Sequence, residues 1–268
     1  GSVLPGHDRG RDITIVDVFE AVGAHAVGKI DDARLAELER RAVPTVGACP
    51  GQYTAITMAS VSEAIGLAPP GSATLPAVYA ERLAMADASG RRLMELVADG
   101  VRPRAIATKR AFENAAAVVA AAGGSTNAAL HLPAMAHEAG VDFTLKDVVA
   151  VFARTPYIAD MQPGGRYLAR DLHEAGGVPV LMKALLDGGY LHGDCITVTG
   201  KTIAENLKHV KFPTNQDVIR PTSAPLSTTG GVVGLKGNLA PQGAIVKVAG
   251  MKRLAHRGPA RCFDCEED

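Results

Sequence analysis

Residues 178–207 read VPVLMKALLDGGYLHGDCITVTGKTIAENL, and the order of textures in this run decides the fold class. Val178-Pro179-Val180 leads into a helix-sized apolar segment, Leu181 to Leu186, which Gly188-Gly189 ends. The β-branched run Ile196-Thr197-Val198-Thr199 predicts a short strand, and Thr202 opens a further helix through Leu207. Helix-sized segments alternating with short β-branched runs indicate an α/β domain, here rich in helix.

Towards the N-terminus the helical pattern dominates. Val16, Phe19, Val22 and Ala26 are spaced for one apolar face of a helix from Thr14 to about Val27, with Asp12 placed to cap it. A second helix begins near Asp31 and runs through Leu35 and Leu38 towards Arg41. The loop from Pro44 to Gly51 holds Cys49, and Gln52 to Ile65 is helical again. Pro69-Pro70-Gly71 precedes an Ala-rich helix from Ala77 to Gly100, and Pro103 starts another that ends at Gly123-Gly124. The run Gly123-Gly124-Ser125-Thr126-Asn127 opens a helix to Gly140, with Ser125 or Thr126 as its cap.

Towards the C-terminus the texture changes. Gly, Pro, Ser and Thr dominate from Pro213 to Gly231, before the strand-like Val232-Val233 and Ala244 to Val248. The expected organisation is an α/β domain over 1–212, a linker over 213–229 and an all-β piece over 230–268.

Composition narrows the function classes. Hydrophobic residues make up 47% and charged residues 21%, as in folded enzyme-like domains. Lys plus Arg equals Asp plus Glu at 28 each, so no net field draws nucleic acid or an anionic membrane. Only 4% of residues are aromatic and none is Trp, which removes the stacking platforms of single-strand binders. No apolar run approaches the roughly 20 residues that span a bilayer, and no signal-peptide pattern opens the chain; a cytoplasmic location is expected. Four cysteines are too few for a disulfide framework in 268 residues. The start at Gly1 and the end at Glu266-Glu267-Asp268, directly after a Cys-rich stretch, read as a portion of a larger protein. Such a portion exposes surface that favours self-association.

Several motifs invite a chemical reading. Gly200-Lys201-Thr202 matches the end of a phosphate loop, but the required first glycine falls at Cys195, so nucleotide binding is set aside. Cys262-Phe263-Asp264-Cys265 has the spacing of half a zinc site, yet no second ligand pair follows, and the two thiols are read as incidental. Cys49 sits just before a helix start, where free amides and the macrodipole favour a thiolate and hence a metal ligand; the plain alternative is a small buried apolar side chain. The Gly123–Asn127 run could hold a carboxylate or phosphate on helix amides, or could be an ordinary helix end followed by a cap.

Longer strings carry a resemblance. Gly47-Ala48-Cys49 with Tyr53-Thr54-Ala55 and Thr57-Met58-Ala59, GGSTNAALHL at 123–132, GDCITVTGKTIAENL at 193–207 and GLKGNLAPQGAIVKVAGM at 234–251 resemble the IlvD/Edd family of dihydroxy-acid dehydratases, almost continuously along the chain. The resemblance implies a helix-rich layered α/β domain followed by the start of a β-barrel-like C-terminal domain. It implies a hydro-lyase that converts 2,3-dihydroxy acids to 2-keto acids in branched-chain amino-acid synthesis, with an iron–sulfur cluster of 2Fe-2S type, Mg²⁺ and a homodimeric whole protein. Sugar-acid dehydration of an aldonate, or a non-catalytic interaction subunit, are the alternatives. Of the three cluster cysteines only Cys49 maps onto this chain; the other two, the magnesium ligands and the base fall outside it, so no catalytic acid or base is assigned. Ser125, Thr126 and Asn127 are carried as candidate substrate-binding residues. Pro50 and Ile56 replace the Gly and Asn common in the family, removing an amide and a polar side chain beside the cysteine.

Overall fold

The structure, a computed structural model, describes residues 1–265; the acidic end at 266–268 lies outside the described residues. The chain opens with β1 (Gly6–Asp8) and β2 (Arg11–Ile13), an antiparallel pair in which His7 faces Asp12. Asp12 is therefore occupied in a strand, and Thr14 caps α1 (Ile15–Ala26) in Asp12's place, in a capping box with Asp17. Asp31 caps α2 (Asp32–Ala42) as its sequence indicates. α1 and α2 close a small core of Ile13, Ala21, Leu38 and Ala42, while Phe19 and Val22, expected inside, remain exposed.

Next come α3 (Thr54–Ile65), α4 (Glu81–Ala98), α5 (Pro103–Ile106), α6 (Lys109–Ala121), α7 (Ala128–Ala139), α8 (Leu145–Arg154), α9 (Ala169–Glu174), α10 (Gly177–Asp187) and α11 (Ile203–Leu207). The single helix expected from Pro103 onward is two, because the Thr108 hydroxyl accepts a bond from the Ala111 amide and starts α6 afresh. Val178-Pro179-Val180 lies inside the first turn of α10, where the missing proline amide costs nothing. The strand expected at Ile196–Thr199 does not form. The amide of Thr197 bonds the Lys201 carbonyl and that of Val198 the Gly66 carbonyl, so a tight loop satisfies the backbone without a partner strand.

α6 is the centre of the main core. Its face from Phe112 through Ala122 is almost wholly buried, and the small side chains let α3, α8, α7 and α10 pack closely around it. Its one buried amide, Asn114, is satisfied at both ends by the main chain of His192. On α3, Glu63 is buried with its two carboxylate oxygens accepting the amides of Gly71 and Ala73 at 2.7 and 2.6 Å, and burial pushes its pKa up to about 7.

β3 (Val232–Leu235) and β4 (Ala244–Lys247) form an antiparallel hairpin packed on α8, where Gly234 lies directly against Val149. The Pro/Gly/Ser/Thr-rich approach to it is not loose. Main-chain bonds lay Val218 to Ser227 along Tyr157 to Asp160. Among the described residues the named strands are these two hairpins, so the molecule is a helix-rich α/β structure with small sheets. No described helix is long and apolar enough to cross a membrane.

Candidate functional site at the first turn of α3

The loop that carries Cys49 is held by main-chain bonds on both sides. Residues 1–3 run between it and the segment at 75–77: Ala48 donates to Gly1, Val3 donates to Ala48, and Ala77 donates to Ser2 at 2.8, 2.7 and 2.9 Å. Gly47 makes this approach possible. Its φ of +137° suits glycine alone, and a Cβ there would lie 2.6 Å from the Ser2 backbone. Beyond the cysteine, the Pro50 carbonyl accepts from Ala169 at 2.6 Å and the Gln52 amide donates to Gln162 at 2.8 Å. Pro50 brings no amide of its own to this loop, and Ile56 is buried in the first turn of α3. Cys49 itself is a free, half-buried thiol.

Tyr53, the residue before α3, has a buried hydroxyl without a partner, and its pKa is raised by burial and by the nearby charges of Cys49 and Asp17. It lines a polar cleft of about 420 Å³ with Arg11, Asp12, Asp17, Arg166 and Asp171. Cys49 lies in the loop that leads into α3. Among the described residues no set of three or more His, Cys, Asp or Glu side chains converges on a metal position. Cys195 is buried elsewhere, its thiol pKa pushed up by burial, and Cys262 and Cys265 are exposed.

The Gly123–Asn127 run is brought against the same turn. The Thr57 hydroxyl accepts the Ser125 amide at 3.0 Å and donates to Gln52 Oε1 at 3.1 Å. The Thr54 hydroxyl meets the Ser125 hydroxyl at 3.2 Å and accepts from Asn127 Nδ2 at 2.7 Å. Ser125 and Asn127 therefore join the Cys49 side of the molecule, while Thr126 is exposed beside them. The expected cap is different. Asn127 occupies the cap position of α7, and the Ser125 hydroxyl accepts from the Asn127 amide instead of from the helix. Thr57→Val would strand the Ser125 amide and Gln52 Oε1 in a buried place. A loss of about 2–3 kcal/mol is expected in denaturant unfolding, and an unchanged midpoint would remove Thr57 from this role.

Lys247 was not singled out by its sequence. Alternation along β4 puts it on the same face as Ile245, towards the core, and its Nζ donates to the Gln52 carbonyl at 3.2 Å. No carboxylate pairs with it among the described residues, and burial pulls its pKa down to about 8. The base of the hairpin reaches the site as well: Ala249 packs on Gly123, and Gly124 fits against Thr57 with no room for a side chain at either glycine. The signal available in sequence was a lysine on the inward phase of an apolar strand, Ala244-Ile245-Val246-Lys247.

The hydroxyls of Thr54, Thr57 and Ser125, the Asn127 side chain and Lys247 from a separate hairpin thus stand around the first turn of α3, in a helix-rich α/β protein. The model of the dihydroxy-acid/6-phosphogluconate dehydratase N-terminal region matches residues 1–206, and that of the C-terminal region matches 217–268. The chain belongs to the dihydroxy-acid/6-phosphogluconate dehydratase family. It is 63% identical over 268 residues to dihydroxy-acid dehydratase 2 of Mesorhizobium japonicum, covering all of this chain and 46% of the relative. It is 63% identical over 270 residues to the dihydroxy-acid dehydratase of Parvibaculum lavamentivorans, covering 47% of that protein. A third relative, the dihydroxy-acid dehydratase of Pelagibacter ubique, is 60% identical over 267 residues. The chain spans about half the length of the curated relatives it matches.

Proposed function

We propose that the protein carrying this chain is a hydro-lyase that removes water from 2,3-dihydroxy acids to give 2-keto acids, as in branched-chain amino-acid synthesis. The observation that carries the reading is the match of the whole chain to dihydroxy-acid dehydratases, and the Thr54–Ser125–Asn127 cluster at the start of α3, the helix that follows the Cys49 loop, is consistent with it. The reaction takes a proton from C2 and expels the C3 hydroxyl, and the resulting enol becomes the keto acid. Hydroxide leaves poorly, and an iron–sulfur cluster of 2Fe-2S type, with Cys49 as one ligand, supplies the Lewis acidity for it when bound. Ser125, Thr126 and Asn127, with Thr54, offer donors and acceptors suited to a substrate rich in hydroxyls. Magnesium, in this reading, is held by residues other than those described.

The same proposal divides the chain into an α/β domain over 1–212, a linker over 213–229 and, over 230–268, the start of a β-barrel-like domain. The family-model limits at 206 and 217 and the β3–β4 hairpin support that division. A homodimeric whole protein is supported by exposed apolar side chains on α1 and α4, among them Phe19, Leu83 and Met94. A cytoplasmic location accords with the lack of a membrane-crossing helix among the described residues. The family description also names 6-phosphogluconate, which favours an aldonate as the second substrate reading.

The test is turnover by anaerobically purified holoenzyme of 2,3-dihydroxy-3-methylbutanoate and, in parallel, gluconate, with the keto acid trapped as its hydrazone. Keto acid from the branched acid supports the first reading. Product from gluconate alone transfers the function to the sugar acid, and product from neither overturns both.

A further inference from the structure

Lys247 has no structural partner that accounts for its charge. Its position on β4 is half-buried and in phase with Ile245, which packs against the main core. An ammonium group taken from water into such a place costs free energy unless it is paired. The Gln52 carbonyl takes one of its three protons at 3.2 Å, and no Asp or Glu lies within ion-pair distance among the described residues. Burial accordingly lowers its pKa to about 8.

Donors are left open around the turn that it bonds. Gln52 Nε2 is buried without a partner, since the amide oxygen is the end engaged by Thr57. α3 begins at Thr54 with no side-chain cap, which leaves its first amides open. The hydroxyls of Thr54 and Ser125 and the amide of Asn127 stand next to that turn and reach the surface. Gly123 and Gly124, wedged between Ala249 and Thr57, bring the hairpin and the hydroxyl cluster to one place. A positive group, free helix amides and a hydroxyl cluster together suit a ligand with one anionic end and several hydroxyls.

We propose that Lys247 anchors the carboxylate of the acid substrate, with the Thr54–Ser125–Asn127 cluster facing the substrate hydroxyls. The inference rests on the reading that this family's acid substrate binds beside the Cys49 loop. It assigns to the second family-model region a direct part in a site otherwise built from the first. It also makes the hairpin contribute to substrate choice through charge.

The probe is 2-hydroxy-3-methylbutanoate, which keeps the carboxylate but has no C3 hydroxyl to lose, together with its neutral primary amide. Both are titrated by calorimetry into anaerobic holoenzyme, wild type, Lys247→Gln and Lys247→Arg. The acid is expected to bind about tenfold more weakly to Lys247→Gln and within about threefold of wild type to Lys247→Arg, which keeps the charge. The amide is expected to bind all three alike. Equal affinity of acid and amide for the wild type overturns the anchor without recourse to any variant, so a variant that fails to fold does not shelter it. Unchanged acid binding in Lys247→Gln overturns it too, and a shifted visible spectrum in that variant with acid binding intact would assign the lysine to the cluster instead. Gluconate titrated in parallel separates this inference from the substrate reading. A Lys247-dependent affinity for gluconate alone retains the anchor and overturns the branched-chain substrate.

Discussion

Cys49→Ser holoenzyme, purified without oxygen, is expected to lose its iron and its visible absorption while unfolding close to the wild-type midpoint. Iron–sulfur clusters are held by cysteine sulfur, and a serine hydroxyl is a much poorer ligand for iron. The fold does not depend on the side chain. The loop is fixed through the backbone of Ala48, Pro50 and Gln52, and the thiol is half-buried with nothing else assigned to it. Oxygen for sulfur removes little packed volume at such a place, so a stability change under about 1 kcal/mol is expected. Quantified iron and sulfide, set beside a thermal melt, separate the two effects. Retention of the full iron content would remove Cys49 from the ligand set.

Glu63→Gln is expected to cost the protein stability and to flatten part of its pH dependence. The carboxyl group is buried, with one amide proton on each oxygen, from Gly71 and Ala73. Glutamine keeps one acceptor and turns an NH₂ towards the other amide, which strands a buried donor at about 1–3 kcal/mol. The sign of the pH effect follows from the raised pKa. The unfolded carboxyl titrates near 4.5 and the folded one near 7. Below 4.5 both states carry the proton and the contribution is fully present. As pH rises from 4.5 towards 7 the unfolded chain releases the proton first, and stability falls by an amount on the order of 3 kcal/mol. The difference between wild-type and Glu63→Gln unfolding free energies, measured from pH 4.5 to 8, isolates this group. A difference that does not change with pH would show that Glu63 titrates normally in the fold.

The helices were legible where local chemistry decides them. Asp31 caps α2, Gly66 ends α3 and Gly140 ends α7 in the left-handed conformation, each close to where residue type indicates. The misses share a cause, since tertiary partners override a local pattern. Ile196–Thr199 has strand composition, but the Gly66 carbonyl and its own turn take its amides. Asp12 is as good a cap as Thr14 until pairing with His7 claims it. Cys49 was singled out by its loop before a helix, and Ser125 and Asn127 by the run that precedes α7; the bonds of Ser125 and Asn127 to the start of α3 were not legible. Their meeting with Thr54 and Thr57 spans about 70 residues and leaves no trace in spacing. Lys247 was the least readable, because its partner is a backbone carbonyl with no sequence signature of its own.

The bond from Lys247 to Gln52 joins positions 195 residues apart. On a ribosome adding about 5–20 residues per second, roughly 10–40 seconds pass between the emergence of the cysteine loop and that of the hairpin. Throughout that interval the Gln52 carbonyl precedes the lysine that bonds it, and contacts of such long sequence separation are slow to close even once the chain is made. The nascent protein therefore presents the first turn of α3 without its lysine for longer than most of its helices take to form, so the order of synthesis sets a window in which water and chaperones meet that turn before the hairpin does.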